Sequence, residues 1–298
     1  MKILVTGASG LVGTALLPEL KEKGHEVYRL TRSTPDKTAG AIGWNPEQGT
    51  IEAAALEGMD AVVHLAGENI AEGRWTDEKK RKIRESRVKG TRLLSETLAQ
   101  LKHRPHTLLS ASAIGFYGDR GDEVLTEQSA SGTGFLPEVC REWELATQAA
   151  AQSGIRVVNL RFGVILSADG GALKKMLTPF KLGVGGKVGS GEQYMSWVAL
   201  DDAVSVIIFA LLTENMRGPV NVVAPEPVRN VEYTKALGHA VSRPTIFAVP
   251  SFAARLAFGE MADALLLSSA RVEPLRLKEA GFQFQYPKLD DALRHLLK

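Results

Sequence analysis

The stretch that most constrains this chain is its first one. Lys2–Thr6 (KILVT) reads as a short apolar strand, glycines follow at 7, 10 and 13, and Val12–Glu22 reads as a helix. A strand that runs through a G-x-x-G-x-x-G loop straight into a helix is the entry unit of a doubly wound parallel sheet. In that unit Gly7 permits the tight turn, Gly10 lets the backbone approach a pyrophosphate, and Gly13 lets the helix sit close to the sheet. The free N–H groups and dipole of the helix N-terminus favour the same anion.

The next elements repeat the pattern. Glu26–Thr31, Ala61–Ala66, Thr107–Ser112 and Arg156–Phe162 read as strands, and the AVVHLA run at 61–66 is nearly continuous in apolar residues, as buried parallel strands are. Helices are expected at about Asp77–Leu101 and Pro137–Ala151, and Trp44–Gly49 reads as a turn between short extended pieces. The alternation predicts an α/β, Rossmann-type doubly wound parallel sheet with a smaller C-terminal substrate-side lobe. Residues 1–165 form the expected core, completed by about 195–225; residues 166–194 and 226–298 form the lobe. The glycine-rich stretch Ser167–Gln193 reads as a looser, substrate-covering segment. Val204–Leu212 reads as an apolar helix with Asp201 and Asp202 ahead of it, and Pro219–Ala224 as a further strand. Beyond Ser251, Phe252–Phe258 and Asp263–Leu267 read as helical pieces before a small helical cap.

Composition excludes several classes. With 298 residues and 44% hydrophobic content the chain can bury an ordinary core. Thirty-six Lys and Arg against 34 Asp and Glu leave a net charge of +2, so no basic excess collects nucleic-acid phosphates. The single cysteine, Cys140, cannot form an internal disulfide, and no metal set can be drawn from the scattered histidines. The N-terminus lacks a signal-like apolar run, and Ala203–Leu212 is about half a membrane span. The expectation is a cytoplasmic protein with no membrane and no nucleic-acid partner.

The end of the second strand selects the dinucleotide. An acid there would bind the adenosine ribose; this chain has Thr31 and then Arg32, which can fork onto a 2′-phosphate. NADP is therefore expected rather than NAD. After AVVHLA, Ala66 and Gly67 are small enough for close passage of a cofactor, and Glu68 could bind a ribose hydroxyl or anchor its loop. His64, inside an apolar strand, reads first as a hydrogen-bonded core residue and second as a base. The basic run Arg74–Thr91 reads either as a solvated helix face or as a source of phosphate contacts through Arg74, Arg84 or Arg87.

ILVTGASGLVG, HLAGENI, SRVKGT, SASAIGFYG, WEL, LRFGVILSADGGAL, GSGEQYMSWVALDDAV and GPVNVVAPEPV together resemble the extended short-chain dehydrogenase/reductases, and most closely their "epimerase family protein" group, over essentially the whole chain. The resemblance implies a core of about seven strands, NADP as cofactor, and a monomer or a homodimer acting on a small-molecule substrate. It implies Gly7, Ala8, Gly10, Leu11, Val12, Thr31, Arg32, Leu65, Ala66, Gly67, Glu68 and Phe162 or Val164 as cofactor neighbours, with Trp44 either near the adenine or in the core. Arg87 falls where the superfamily keeps a helper asparagine.

The superfamily's chemistry needs a serine, a tyrosine and a lysine. Without a gap Ala113 falls at the serine; one inserted residue brings Ser112 there, the preferred reading. Phe135 and Val139 fall at the tyrosine and lysine, so the usual acid–base pair is absent. Tyr117 and Glu68 are the replacement proton carriers named with Ser112 as the catalytic set; His64, Cys140 and Tyr194 are further candidates, and Arg161, Lys174 and Lys187 could meet an anionic group. Two functions remain open at this point: an NADP-dependent oxidoreductase or epimerase on a carbonyl or sugar-like substrate, and a non-catalytic NADP-binding regulator or scaffold of the cell-division-inhibitor kind.

Overall fold

The computed structural model describes residues 1–32 and 40–298. An eight-stranded sheet organises it. The strands β1 (Lys2–Thr6), β2 (Glu26–Thr31), β3 (Ala41–Asn45), β4 (Thr50–Ile51), β5 (Ala61–His64) and β6 (Thr107–Ala113) are joined by the strands Arg156–Phe162 and Gly218–Val222. From one edge, the order runs Gly218–Val222, Arg156–Phe162, β6, β5, β1, β2, β3, β4. The first seven are parallel, and the two-residue β4 closes one edge antiparallel to β3. The chain thus has a Rossmann-like α/β fold. The strand order reverses at β1, which is where a sheet of this kind opens a crevice at its carboxyl edge.

Alternate side chains of one strand feed two cores. Ile3 and Val5 point into a cluster with Leu16 and Leu20 of α1 (Leu11–Glu22) and with Ala203, Val206 and Ile207 of the helix Leu200–Leu212. Leu4 points the other way, towards Leu94 and Leu98 of α2 (Asp77–Gln100) and Ala150. The period of two along β1, β5 and β6 therefore buries both faces, and that is why these strands read as unbroken apolar runs. Thr76 caps α2 by accepting from the Lys79 N–H at 3.2 Å, with Asp77 and Glu78 in the first turn.

Two expectations are corrected. The helix expected over Pro137–Ala151 is two pieces, α3 (Phe135–Leu145) and Gln148–Gln152, because the Thr147 hydroxyl turns back onto the Glu144 carbonyl at 2.7 Å. The glycine-rich stretch 167–193 is not loose: Gly171–Lys181 is a helix whose Leu173, Leu177 and Phe180 recur at helical spacing into a third core, with Trp197, Tyr233 and Leu293. The tail returns to the sheet domain through Asp202, whose buried carboxylate accepts the Gln285 and Tyr286 N–H groups at 2.7 and 3.0 Å. Among the described residues no helix is long and apolar enough to cross a membrane.

Candidate functional site

The crevice at the carboxyl ends of β1, β2 and β5 is a cleft of about 1090 Å³. Its floor is the glycine loop. Gly7 has φ +67°, and a Cβ there would stand 2.7 Å from the Leu65 backbone. A Cβ on Gly13 would stand 2.3 Å from the Gly7 carbonyl oxygen, so any larger residue pushes α1 off the loop. Gly7, Ala8, Gly10, Thr31, Arg32, Trp44, Leu65, Ala66, Gly67 and Glu68 all line this cleft. Leu11, Val12, Phe162 and Val164 stand outside its lining and pack into the surrounding cores or against Gly170. Sequence reading did not single out Arg29, Arg81, Lys82 and Lys89, which also face the cleft; Arg29 lies on β2, and the three-dimensional approach of α2 to the end of β2 brings the other three there. With Arg32 these four residues make, among the described residues, five cations against three carboxylates, Glu47, Glu68 and Glu85, with Arg81 and Lys89 paired to Glu85 and Lys82 to Glu78.

Trp44 packs in the core and also reaches the cleft. Its ring is edge-on to His64 at 6.0 Å between centroids. Glu68 pairs with Lys79 at 2.6 Å, and that lysine holds its carboxyl below the usual range despite partial burial. A carboxylate so held stays ionised and accepts hydrogen bonds, and it is a weaker proton acceptor than an ordinary glutamate. Arg87 leaves the basic face of α2 and turns inward. Its guanidinium donates to the Ile83 and Glu68 carbonyls at 3.1 and 3.0 Å and lies over Trp143, 5.1 Å from the ring centroid. Arg84 bridges to Glu138 and Glu142 of α3, and Arg74 donates to the Leu256 and Ala257 carbonyls, away from the cleft.

His64 is fully buried and locked. The Thr6 hydroxyl oxygen accepts the Leu65 and Ala66 N–H groups at 3.1 and 3.2 Å, so its single proton must go to Nδ1 of His64, 2.7 Å away. Nε2 then carries the ring proton and donates to Thr91 Oγ1 at 2.9 Å, which also accepts from Trp143 Nε1. Burial pushes the imidazole down to about 4, so it is neutral near pH 7. This chain of bonds ties β1 and β5 to α2 and α3.

The region of the expected catalytic set is a second, buried polar network. Ser112 Oγ donates to Glu144 Oε1 at 2.7 Å, and Arg161 forks onto both Glu144 oxygens at 2.7 and 2.8 Å. Arg161 also donates to the Tyr117 hydroxyl at 3.0 Å and stacks on Phe116 at 3.5 Å. Tyr117 OH in turn donates to Asn221 Oδ1 at 2.7 Å. Burial raises the Tyr117 phenol above its ordinary value. Ser112 and Tyr117 are thus brought into one network, while Glu68 stays outside it, in the cleft. Nothing in residue spacing marks Glu144 as the hub, because its partners lie 32 and 17 residues away on other elements. Arg161, read from the sequence as a possible anion contact, is instead buried on this carboxylate.

Phe135, at the tyrosine address, packs edge-on against Trp75 at 5.4 Å in a cluster with Met261 and Ile83. Val139 is buried, and burial pushes the neighbouring Cys140 thiol up to about 12. Tyr194 lies against the guanidinium groups of Arg229 and Arg271, 5.0 and 5.1 Å from its ring centroid. Lys174 and Lys187 donate to the Asp169 and Ser190 carbonyls. Among the described residues no three His, Cys, Asp or Glu side chains are grouped to hold a metal ion.

A glycine cradle on a reversed parallel sheet has clear relatives. Residues 3–223 match the NAD dependent epimerase/dehydratase family. The chain belongs to the NAD-dependent epimerase/dehydratase family. Residues 249–296 of this family member match a domain of unknown function (DUF1731). It is 45% identical over 291 residues to Epimerase family protein Mb2239 of Mycobacterium bovis, covering 98% of this chain and 96% of that one. It is 39% identical to the chloroplastic SDR39U1 homolog of Arabidopsis thaliana, over 100% of this chain and 87% of the relative. The crystal structure of human epimerase family protein SDR39U1 with NADPH superposes with a TM-score of 0.92 at 32% identity, covering 100% of this chain and 99% of that chain. The family's dinucleotide fits the residues present here: the cradle leaves no room for a Cβ at Gly7 or Gly13, and the cleft carries a surplus of cations.

Proposed function

We propose that this chain binds NADP(H) in the cleft and is an oxidoreductase or epimerase for a small carbonyl or sugar-like substrate, working without the Tyr–Lys pair. The observation that carries the cofactor choice is the end of β2. Thr31 and Arg32 stand where an NAD-selective site keeps an acid, and Arg81 and Lys82 face the same cleft from α2. A 2′-phosphate meets cations there. The human relative crystallised with NADPH supports the same choice. NADP, when bound, supplies a hydride donor or acceptor at its nicotinamide ring. The chain's own part is to cradle the pyrophosphate on the Gly7–Gly10 loop and the α1 N-terminus, and to set the local charge. Arg87 fixes a guanidinium beside Gly67, within 3.4 Å of where a Cβ would stand on that residue. Glu68, held anionic by Lys79, offers a hydrogen-bond acceptor.

A second reading has its own support. Ser112 and Tyr117 spend their hydroxyl protons inside the protein, and Phe135 and Val139 have none to exchange. That arrangement suits a non-catalytic NADP-binding regulator or scaffold. Titration with NADPH and NADH separates the cofactors: Arg32→Glu should weaken NADPH roughly ten- to hundredfold and change NADH about threefold or less. Equal affinities in the unsubstituted protein refute the NADP reading. Single-turnover mixing of the NADPH complex with a panel of carbonyl compounds and nucleotide sugars separates the functions. Hydride loss with any of them supports the enzyme; tight binding without hydride loss across the panel supports the regulator.

A further inference from the structure

The C-terminal lobe leaves a large apolar face uncovered. Of twelve exposed large hydrophobic side chains among the described residues, eight lie in two short segments, Leu182–Val184 and Ile246–Phe258, so the exposure is concentrated rather than scattered. The segments are neighbours in space. The strands Gly186–Val188 and Phe247–Val249 pair in parallel, and Arg243 Nε donates to the Lys181 carbonyl at 3.0 Å. The helix Ser251–Phe258 follows directly. Its Phe252 and Leu256, four residues apart on one face, are 72% and 75% exposed, while Ala254 is buried on the opposite side. Arg74 holds the C-terminal carbonyls of this helix, which fixes the apolar face outward. Eight partly exposed side chains of this size present on the order of 1000 Å² of apolar surface, beyond what monomers commonly leave to water.

The charge around this face is predominantly positive, and its nearest acids, Glu260 and Asp263, are paired with Lys80 and Arg255. Gly170–Gly191 and Tyr233–Gly259 contain seven Lys and Arg and not one Asp or Glu. Of the cations nearest the apolar residues, Lys181, Lys187 and Arg243 make no ion pair among the described residues; Lys187 and Arg243 donate to carbonyl oxygens. Arg255 alone is neutralised, by Asp263 at 2.9 Å. Glu232 and Asp290 line a shallow groove together with Arg243, Lys235 and His239. A second copy laid on this face would set cation against cation. An apolar face carrying aromatic rings, bordered by unpaired cations, matches the chemistry of an anionic lipid interface, where rings enter the acyl boundary and cations meet phosphate.

We propose that the face built by Leu182–Val184 and Ile246–Phe258 docks the protein peripherally on an anionic lipid bilayer. The contact is monotopic, with no segment crossing the membrane, and it is independent of how the cofactor cleft is read.

The test is flotation of the full chain with vesicles of phosphatidylcholine alone and with about one quarter phosphatidylglycerol. Binding to the anionic vesicles should exceed binding to the neutral ones about tenfold or more at low salt, and fall several-fold at about 1 M salt, where screening acts within about 3 Å. Phe252→Ser with Leu256→Ser should reduce anionic-vesicle binding at least about tenfold while NADPH affinity and the circular dichroism melt stay unchanged. Lys181→Glu with Arg243→Glu should remove the preference for anionic vesicles. No binding to anionic vesicles overturns the proposal, as does binding that the Phe252/Leu256 variant leaves intact. A concentration-dependent dimer that this variant dissolves, without vesicle binding, assigns the face to a second copy and also overturns it.

Discussion

Glu144→Ala tests the buried network most directly. Arg161 and Glu144 have only 4% and 14% of their side chains exposed, so little solvent screens the pair. Removing the carboxylate strands a buried guanidinium whose remaining contacts are the Tyr117 hydroxyl and the Phe116 ring. Breaking one side of such a pair costs about 3–5 kcal/mol. The Ser112 hydroxyl also loses its acceptor, worth about 1 kcal/mol more. The expected total is about 4–6 kcal/mol, a third or more of the stability of a typical domain. Urea denaturation followed by circular dichroism reads it as a lower midpoint at an unchanged slope. NADPH affinity of the folded variant should change little, since Glu144 does not line the cleft. Glu144→Leu with Arg161→Met should recover most of the loss, because an apolar pair of similar volume carries no desolvation penalty. A loss below about 1 kcal/mol for Glu144→Ala, or a double variant no more stable than the single one, would refute the assignment of this network as a structural hub.

Other outcomes follow from single residues. The His64 imidazole has a folded value near 4, below its ordinary 6.5, so the unfolded chain binds the proton more readily. Its stabilising effect is therefore complete above pH 6.5 and lost as pH falls towards 4, at about 1.4 kcal/mol per pH unit and about 3 kcal/mol in all; denaturation midpoints of the parent and of His64→Gln that lose stability in parallel over that window would contradict it. Cys140→Ala should leave NADPH affinity unchanged, and native Cys140 should resist iodoacetamide at neutral pH, since burial keeps it a thiol; rapid labelling of the folded protein would show otherwise. Gly13→Ala places a methyl 2.3 Å from the Gly7 oxygen and should weaken NADPH at least about tenfold with secondary structure retained; an unchanged dissociation constant would mean that the loop yields freely.

The sheet was legible from the sequence because its signals are local. Strand, glycine loop and helix at residues 2–22 are set by neighbours in the chain, and the apolar runs at 61–64 and 156–162 follow from burial on both faces. The glycine loop was legible for the same reason, whereas the tyrosine and lysine addresses at Phe135 and Val139 come only from the family resemblance. The helix Gly171–Lys181 was not, because seven glycines around it masked three apolar residues at helical spacing.

What the amino-acid sequence determined by itself is the parallel α/β architecture and a glycine cradle with Thr31 and Arg32 at the end of β2. Tertiary structure alone decided what the polar residues do. Ser112 and Tyr117, Glu144, Arg161 and Asn221 come from four separated segments, and Ser112, Tyr117 and Arg161 each look like a candidate for chemistry when read singly. Packed together in a low-dielectric interior, they must satisfy one another, because an unpaired charge or hydroxyl there costs more than any of the bonds they form in water. The same holds in reverse around Ile246–Phe258: Phe252–Phe258 reads as an ordinary helical piece before a small cap, and only the fold shows that nothing among the described residues covers the apolar side chains there.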